Sequence, residues 1–125
     1  MGRVYLHQRL APDTHLGHVH EDGRVYRHKF GPDDRIGHVD LDSAKVYARR
    51  LGPDDMVGRV ADDGRVYAER FGPDDYIGRV NARGEMHGHK ALAGDDYLGR
   101  VENSPSLLHT GAAFLLLVLP ALEAE

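Results

Sequence analysis

Residues 64–80 read GRVYAERFGPDDYIGRV, and this segment decides the fold. Valine, tyrosine, phenylalanine and isoleucine on both sides of a Gly-Pro-Asp-Asp sequence are typical of two strands joined by a turn. Proline presets φ at the second position of a type I turn, and aspartate accepts hydrogen bonds from the turn backbone. The segment therefore predicts one β-hairpin.

The same pattern recurs along the whole chain at nearly constant spacing. The block Gly-Arg-Val-Tyr begins at residues 2, 23 and 64, with the variants AKVY at 44 and GEMH at 84, so the steps are 21, 21, 20 and 20 residues. A second block consists of an apolar residue, then Gly, then His or Arg, then Val, and it recurs at nearly the same spacing as the first. Self-similarity at a short fixed period indicates a repeat architecture. The second block ends at Val19, Val39, Val60, Val80 and Val101.

The connections between the predicted strands are all short. Asp22-Gly23 and Asp63-Gly64 suit tight type I′ turns, because glycine adopts positive φ without strain. Ten antiparallel strands in meander order leave two exposed edges unless the sheet closes, and exposed edges promote aggregation. A five-bladed propeller fits less well, because each blade needs four strands and about 40 residues. We predict an all-β fold in which residues 1–102 form a closed ring or shallow barrel of five tandem β-hairpins. The first and fifth repeats each carry an extra residue before the Pro/Asp turn, where we expect bulges or longer turns.

The pattern changes in residues 103–125. Ser104 and Pro105 suit the N-cap and the first position of a helix, and residues 111–122 carry no charge. A helix that is apolar on all sides must be buried in protein or lipid. Ten strands lined by glycine and valine leave room inside the ring. We therefore predict one C-terminal apolar helix, over residues 105–122, along the axis of the ring.

A membrane span is the alternative for this apolar segment. A span needs about 20 apolar residues, whereas this run is shorter and contains His109, Thr110 and Pro120. It also ends at acidic residues without a Lys or Arg flank. The buried helix is the better interpretation, and residues 1–125 then form a single domain.

Every second strand carries two recurring positions of interest. A glycine in a strand interior often marks the close approach of another backbone or of a ligand. We predict that the central glycines contact the axial helix, although they also suit strong strand bending. These axial positions are Gly17, Gly37, Gly58, Gly78 and Gly99. The residue after each glycine is cationic or titratable, which makes a candidate ring for contacting an anion, or else an ordinary exposed polar position. This candidate binding ring consists of His18, His38, Arg59, Arg79 and Arg100.

The hairpin sequences resemble the β-flower proteins, specifically the five-fold kind. The resemblance rests on Gly-Arg-Val-Tyr, Gly-Pro-Asp-Asp and Ile-Gly-Arg-Val and covers residues 2–101. It implies a shallow symmetric barrel of hairpins with an apolar C-terminal helix, and it implies a shape rather than an activity. The predicted architecture is also similar to tubby-like and scramblase-like barrels, some of which bind phosphoinositides or associate with membranes. No motif of this chain corresponds to residues that bind phosphoinositides or membranes in those proteins, so the similarity is one of architecture.

Composition argues against several classes of function. The net charge of −4 is unlike that of a general nucleic-acid binder, which needs Lys and Arg to neutralise phosphates. The absence of cysteine excludes disulfides, thiolate metal sites and a cysteine nucleophile. The paired aspartates of the turns predict an acidic rim, but turns that diverge around a ring do not supply the six to eight oxygens that calcium needs.

Catalysis and metal binding find little support in the remaining residues. His18 and His20 share a strand face, as do His87 and His89, but no third ligand is evident for either pair. The three serines, Ser43, Ser104 and Ser106, are explained as loop or cap residues. We predict no catalytic residue, no metal and no cofactor.

The sequence leaves two functions open. The first is a non-enzymatic structural or interaction module, whose partner could be another protein. The alternative is a membrane- or lipid-associated binding module that uses the apolar helix or the channel it occupies. The repeats begin at Gly2 without a signal peptide, so the expected location is cytoplasmic.

Overall fold

The structure is a computed structural model that describes residues 1–8, 10–29, 31–69, 75–89 and 97–123. Its strands form a closed antiparallel barrel of hairpins, which confirms the predicted fold class. Neighbours in the barrel are neighbours in sequence, except where the last strand pairs with the first. The strands are β1 Gly2–Leu6, β2 Thr14–Val19, β3 Arg24–Arg27, β4 Asp34–Val39, β5 Lys45–Ala48, β6 Asp55–Val60, β7 Arg65–Ala68, β8 Asp75–Val80, β9 Glu85–Gly88 and β10 Tyr97–Glu102.

The hairpins that are joined by long loops all contain a bulge. In β1–β2 the register shifts between Val4 and Tyr5, and β3–β4, β5–β6, β7–β8 and β9–β10 each shift as well. We predicted irregularities only for the first and fifth repeats, so the bulge is a property of every repeat and not of the extra residue. Bulges bend a strand and increase its twist, and five of them help a small sheet to close.

The hairpins that are joined by short turns keep a regular register. In β2–β3, Val19 pairs with Val25, and in the closing pair β1–β10, Val4 pairs with Val101 in the same relation. Gly23 has φ +96 and donates its N–H to the carbonyl of His20, but Asp22 before it has no positive φ. The predicted type I′ turn, which needs positive φ at both central residues, is therefore wrong. Ala44 adopts φ +63 at the position equivalent to Gly23. The closing seam therefore repeats the geometry of the seams inside the chain.

The C-terminal segment forms a helix in three parts, α1 Leu107–Ala113, a π-helical segment Phe114–Val118, and α2 Leu119–Glu123. Its predicted start was wrong by two residues. Ser106, not Ser104, is the N-cap: its backbone is extended, and its hydroxyl accepts a hydrogen bond from the N–H of His109. Among the described residues, no helix combines the length and the apolar character needed to cross a membrane.

The helix packs against many strands of the barrel. Residues 109–119 are buried, and α1 contacts β2, β4, β6, β8, β9 and β10. In the π-helical segment the N–H of Leu119 donates to the carbonyl of Phe114, five residues earlier. The strands of the barrel bury a set of side chains whose exposure is 3% or less. These are Val4, Val19, Val25, Val39, Val46, Val60, Val66, Ala68, Ile77, Val80, Met86, Leu98 and Val101.

Candidate functional site

The candidate binding ring lies on the even-numbered strands, and each member faces a ring-bearing side chain on the neighbouring odd strand. His18 stacks on Tyr26 with ring centres 5.0 Å apart, and the guanidinium of Arg100 lies 4.5 Å from the centre of the Tyr5 ring. The pairing repeats around the barrel because the register is the same in each seam. The cross-strand pairs are His18 with Tyr26, His38 with Tyr47, Arg59 with Tyr67, Arg79 with His87, and Arg100 with Tyr5.

Carboxylates from the long loops lie beside members of this ring. Nδ1 of His18 lies 3.0 Å from Asp33, and Nδ1 of His38 lies 3.5 Å from Asp54. The equivalent aspartates of the last two long loops, at positions 74 and 95, lie outside the described residues. A side chain that packs on an aromatic ring and lies beside a carboxylate is poorly placed to bind an external anion. At these positions the ring therefore stabilises the seams better than it binds a ligand.

The closing seam carries the same arrangement between residues far apart in sequence. Arg100 of β10 bonds through its guanidinium to Asp13, in the first long loop. Burial alone would raise the pKa of Asp13, but the hydrogen bonds from the Gln8 N–H and from Arg100 outweigh it and hold that pKa below its ordinary value. The ionised Asp13 thus ties the first hairpin to the last strand.

A cluster of histidines surrounds Tyr26. His20 lies 4.7 Å from the Tyr26 ring, and His28 shares the carboxylate of Asp33 with His18. Burial lowers the pKa of His18, and repulsion from His20 acts in the same direction, while the charge of Asp33 opposes both. Within the described part of the chain, no three His, Asp or Glu side chains are placed to hold a metal ion.

The central glycines meet two different neighbours. A Cβ built on Gly17, Gly37, Gly58, Gly78 or Gly99 would lie 2.0–2.3 Å from a carbonyl oxygen of the adjacent strand, closer than any real contact. At four positions the next neighbour includes a helix side chain: Leu117 at Gly17, Leu116 at Gly37, Leu115 at Gly58 and Phe114 at Gly78. At Gly99 the nearest atoms all belong to Tyr5 and Leu6. Close approach of the strands is thus the stronger reason for glycine, and contact with the helix adds to it at four positions.

The helix faces successive repeats with successive residues. From Gly17 to Gly78 the contacting residue moves from Leu117 to Phe114, one helix residue for each repeat. Five repeats around a closed barrel are separated by 72° on average, whereas an α-helix turns by about 100° per residue. A π-helix hydrogen-bonds over five residues and turns by less at each one. The π-helical segment therefore follows the spacing of the repeats more closely than an α-helix does.

The three serines have structural partners. Oγ of Ser43 accepts from the N–H of Lys45, and Ser104 bonds to the hydroxyl of Thr110 at 2.7 Å. Ser106 lies 2.7 Å from Nδ1 of His109, whose Nε2 lies 2.9 Å from the carbonyl oxygen of Glu21. This carbonyl requires an N–H at Nε2, so Nδ1 accepts the hydroxyl proton of Ser106. The pair fixes the helix start to the turn between β2 and β3.

Sequence reasoning missed an arginine-lined groove at the loop end of the barrel. Arg27, Arg35, Arg49 and Arg50 line a cavity of about 720 Å³. A second space of about 290 Å³ adjoins it across Arg27. The available indication was a departure from the repeat, since Arg27 takes the place of Leu6, Ala48 and Ala68 in other copies.

Comparison of this chain with known proteins finds no match. No protein-family model matches it, and no curated protein or solved structure shows significant similarity to it.

Proposed function

We propose that this protein is a non-enzymatic binding scaffold that presents the long-loop end of its barrel to a partner. The observation that carries the proposal is the exposure of two large apolar side chains, Leu10 at 101% and Leu51 at 105%. Both occupy the same point of a long loop, directly before the turn. Because the strands alternate in direction, all long loops lie at one end of the barrel. Two fully exposed leucines on loops at the same end of the barrel make that end the candidate interaction surface.

The repeat strengthens this interpretation at the sequence level. A large apolar residue stands at the same position in all five long loops, and Phe30, Phe71 and Leu92 lie outside the described residues. A basic residue precedes it in four loops, as Arg9, Lys29, Arg50 and Arg70. A repeated apolar tip beside a cation suits a multivalent contact, in which several weak contacts add up.

The scaffold that we propose is a five-fold pseudosymmetric ring with the helix along its axis, as in the five-fold β-flower proteins. The equal registers of the seams support the symmetry. The burial of residues 109–119 and the contacts of α1 with strands from all five repeats support the position of the helix. Within the described part of the chain, a helix along the axis occupies the space that a deep central pocket would need.

The non-enzymatic proposal has a sharp test at Ser106. A serine that donates to a histidine, itself held by an acceptor, has the arrangement of an activated nucleophile. Because His109 is only 4% exposed and the serine caps a helix, we expect a fluorophosphonate probe to leave Ser106 unlabelled. Labelling at Ser106 that disappears in His109→Gln would show an activated nucleophile and overturn the proposal.

The loop-end surface is tested by replacing its apolar tips. Wild-type protein is cross-linked to its partner in cell extract, and the partner is identified by mass spectrometry. We expect the double variant Leu10→Ser, Leu51→Ser to lose this cross-link. Leu41→Ser is the matched control, because Leu41 is 43% exposed in a turn at the opposite end. Loss of the partner with the control variant, or its retention with the double variant, would contradict the assignment of the surface.

Membrane or lipid association is the second candidate, and the arginine-lined groove favours it. The floor of that groove includes Leu115 and Leu116 of the helix, so apolar surface lies beside cationic groups. Fractionation without detergent separates the two candidates. Protein that stays in the soluble fraction supports the scaffold, and protein that sediments with membranes supports lipid association.

A further inference from the structure

Arg27 breaks the repeat at a position that faces inward. The residues that pair with the central glycines are Leu6, Ala48, Ala68 and Gly88 in the other repeats. Leu6, Ala48 and Ala68 are buried, with exposures of 7% or less. Arg27 pairs with Gly17 on the same face, and its side chain is 60% exposed. A charge at this position lies at the edge of a cavity that also reaches Ala48 of the next repeat.

The opening is a groove with an apolar floor. Ile36 and Val57 of the strands, with Leu115, Leu116 and Pro120 of the helix, line its inner side. Its volume of about 720 Å³ lies within the roughly 300–1,000 Å³ of small-molecule sites. The smaller space beyond Arg27 continues over Leu116, Pro120 and Ala121. An elongated apolar group fits this floor better than a compact polar one.

The walls of the groove are cationic and incompletely paired. Four arginines line it against one aspartate, Asp34, which lies 3.9 Å from Arg27. Neither Arg35 nor Arg49 forms an ion pair with a carboxylate of the described chain, and Nε of Arg35 is buried without a hydrogen-bond acceptor there. Buried donors almost always have a partner, and a planar guanidinium suits a carboxylate.

We propose that this groove binds a free single-chain anionic amphiphile, a long-chain carboxylate whose head group meets Arg27 and Arg35. The acyl chain lies along the exposed Pro120 and the half-buried Ile36 and Val57, beside the buried Leu115 and Leu116. The inference goes beyond the scaffold role and deepens the second candidate function by naming the site and the ligand. It does not depend on a partner at the loop tips.

Calorimetric titration of the full chain with sodium dodecanoate, below its micelle concentration, tests the proposal. We expect saturable binding of one dodecanoate, at least tenfold weaker in Arg27→Ala. This variant should fold, since the equivalent positions hold Ala48 and Ala68, and an unchanged melting temperature checks it. Arg24→Ala is the matched control: Arg24 lies on the same strand, is 54% exposed and pairs with Asp22 at the other end. Its affinity should stay within twofold of wild type.

Two further ligands separate the contributions of head group and chain. Dodecan-1-ol, which lacks the charge, and acetate, which lacks the chain, should each bind at least tenfold more weakly than dodecanoate. Equal binding of dodecan-1-ol, no saturable binding of dodecanoate, or unchanged affinity in Arg27→Ala would each overturn the proposal.

Vesicles of phosphatidylcholine and phosphatidylglycerol test whether the groove binds an anionic lipid of a bilayer instead of a free amphiphile. The proposal predicts no sedimentation of the protein with these vesicles that depends on Arg27. Arg27-dependent sedimentation without dodecanoate binding would assign the groove to a bilayer lipid instead. Leu10→Ser distinguishes the groove from the scaffold role, because Leu10 is outside the groove lining. We expect this variant to bind dodecanoate as wild type does, and loss of binding would overturn the placement of the site.

Discussion

The substitution Gly58→Ala shows which contact makes the central glycines necessary. The added Cβ would lie 2.2 Å from the carbonyl oxygen of Tyr67 and 2.8 Å from Cδ1 of Leu115. The leucine methyl is the end of a flexible side chain and can move. The carbonyl belongs to a strand that is paired on both sides in a closed barrel, so it cannot retreat without disturbing the sheet. We expect the backbone contact to dominate.

The size of the effect follows from this geometry. Overpacking a dense core costs about 1–3 kcal/mol or more, and we expect about 3 kcal/mol for Gly58→Ala because backbone must move. For a chain of this length, that lowers Tm by roughly 10 °C. Gly52→Ala is the control, since nothing lies within 4 Å of its added Cβ. Its φ of +92 limits the effect to the strain of a left-handed residue, about 1–2 kcal/mol.

A double-mutant cycle with Leu115→Ala assigns the effect to one neighbour. Urea unfolding, followed by circular dichroism, gives the free energy of unfolding for the wild type, both single variants and the double variant. If the Tyr67 carbonyl dominates, Gly58→Ala destabilises the Leu115→Ala protein as much as the wild type, and the coupling energy is near zero. Full rescue in the double variant would refute this reasoning and assign the glycines to the helix.

Three further predictions concern the helix and the seams. Deleting residues 103–125 should leave the remaining chain unfolded or insoluble, because losing several buried leucines exceeds the 5–15 kcal/mol stability of a typical domain; a well-dispersed NMR spectrum would contradict this. The pKa of His18 is lowered in the folded state by burial and by His20, so protonation below pH 6.5 favours the unfolded state and the free energy of unfolding falls on acidification. We expect the Tm of His18→Arg to fall less than that of wild type between pH 7.5 and pH 5. The pKa of Asp13 is also lowered by its contacts with Gln8 and Arg100, so Asp13→Asn should lose about 1 kcal/mol at pH 7 and progressively less as the pH falls below 3.8 and through the lowered pKa, as measured by urea unfolding at pH 7 and at acidic pH.

The strands and turns were predictable because their causes are local. The Asp-Gly and Pro-Asp sequences set the turns, and alternation with a fixed period set the strands, so the closed barrel followed from counting hairpins. The helix start was less accessible, since Ser104 and Ser106 are both good caps. Ser106 lies where its hydroxyl reaches both the N–H and the ring of His109, a choice that depends on the tertiary position of His109.

The properties of the candidate site depended on contacts between repeats. The positions of the candidate binding ring were predicted from the repeat. The contact between Asp33 and His18 was not, because it depends on the path of the long loop. Alternation along β3 already places Arg27 on the same face as the buried Val25, but its pairing with Gly17 depends on the register between the strands. The π-helical segment has no periodicity in this sequence that distinguishes it from an α-helix. Register and helix type are properties of the assembled barrel.

The one-residue step between helix and repeats lets similar repeats hold a helix whose own sequence carries no repeat of that length. Each repeat meets a different position of the helix, from Leu117 at Gly17 to Phe114 at Gly78, but three of these four helix residues are leucines. The inward side of the repeats is correspondingly uniform, with the same glycines and valines recurring in step along the chain. A short run of leucines thus serves as one contact surface for several copies of the same hairpin, and Gly78 differs from the other three in meeting an aromatic ring.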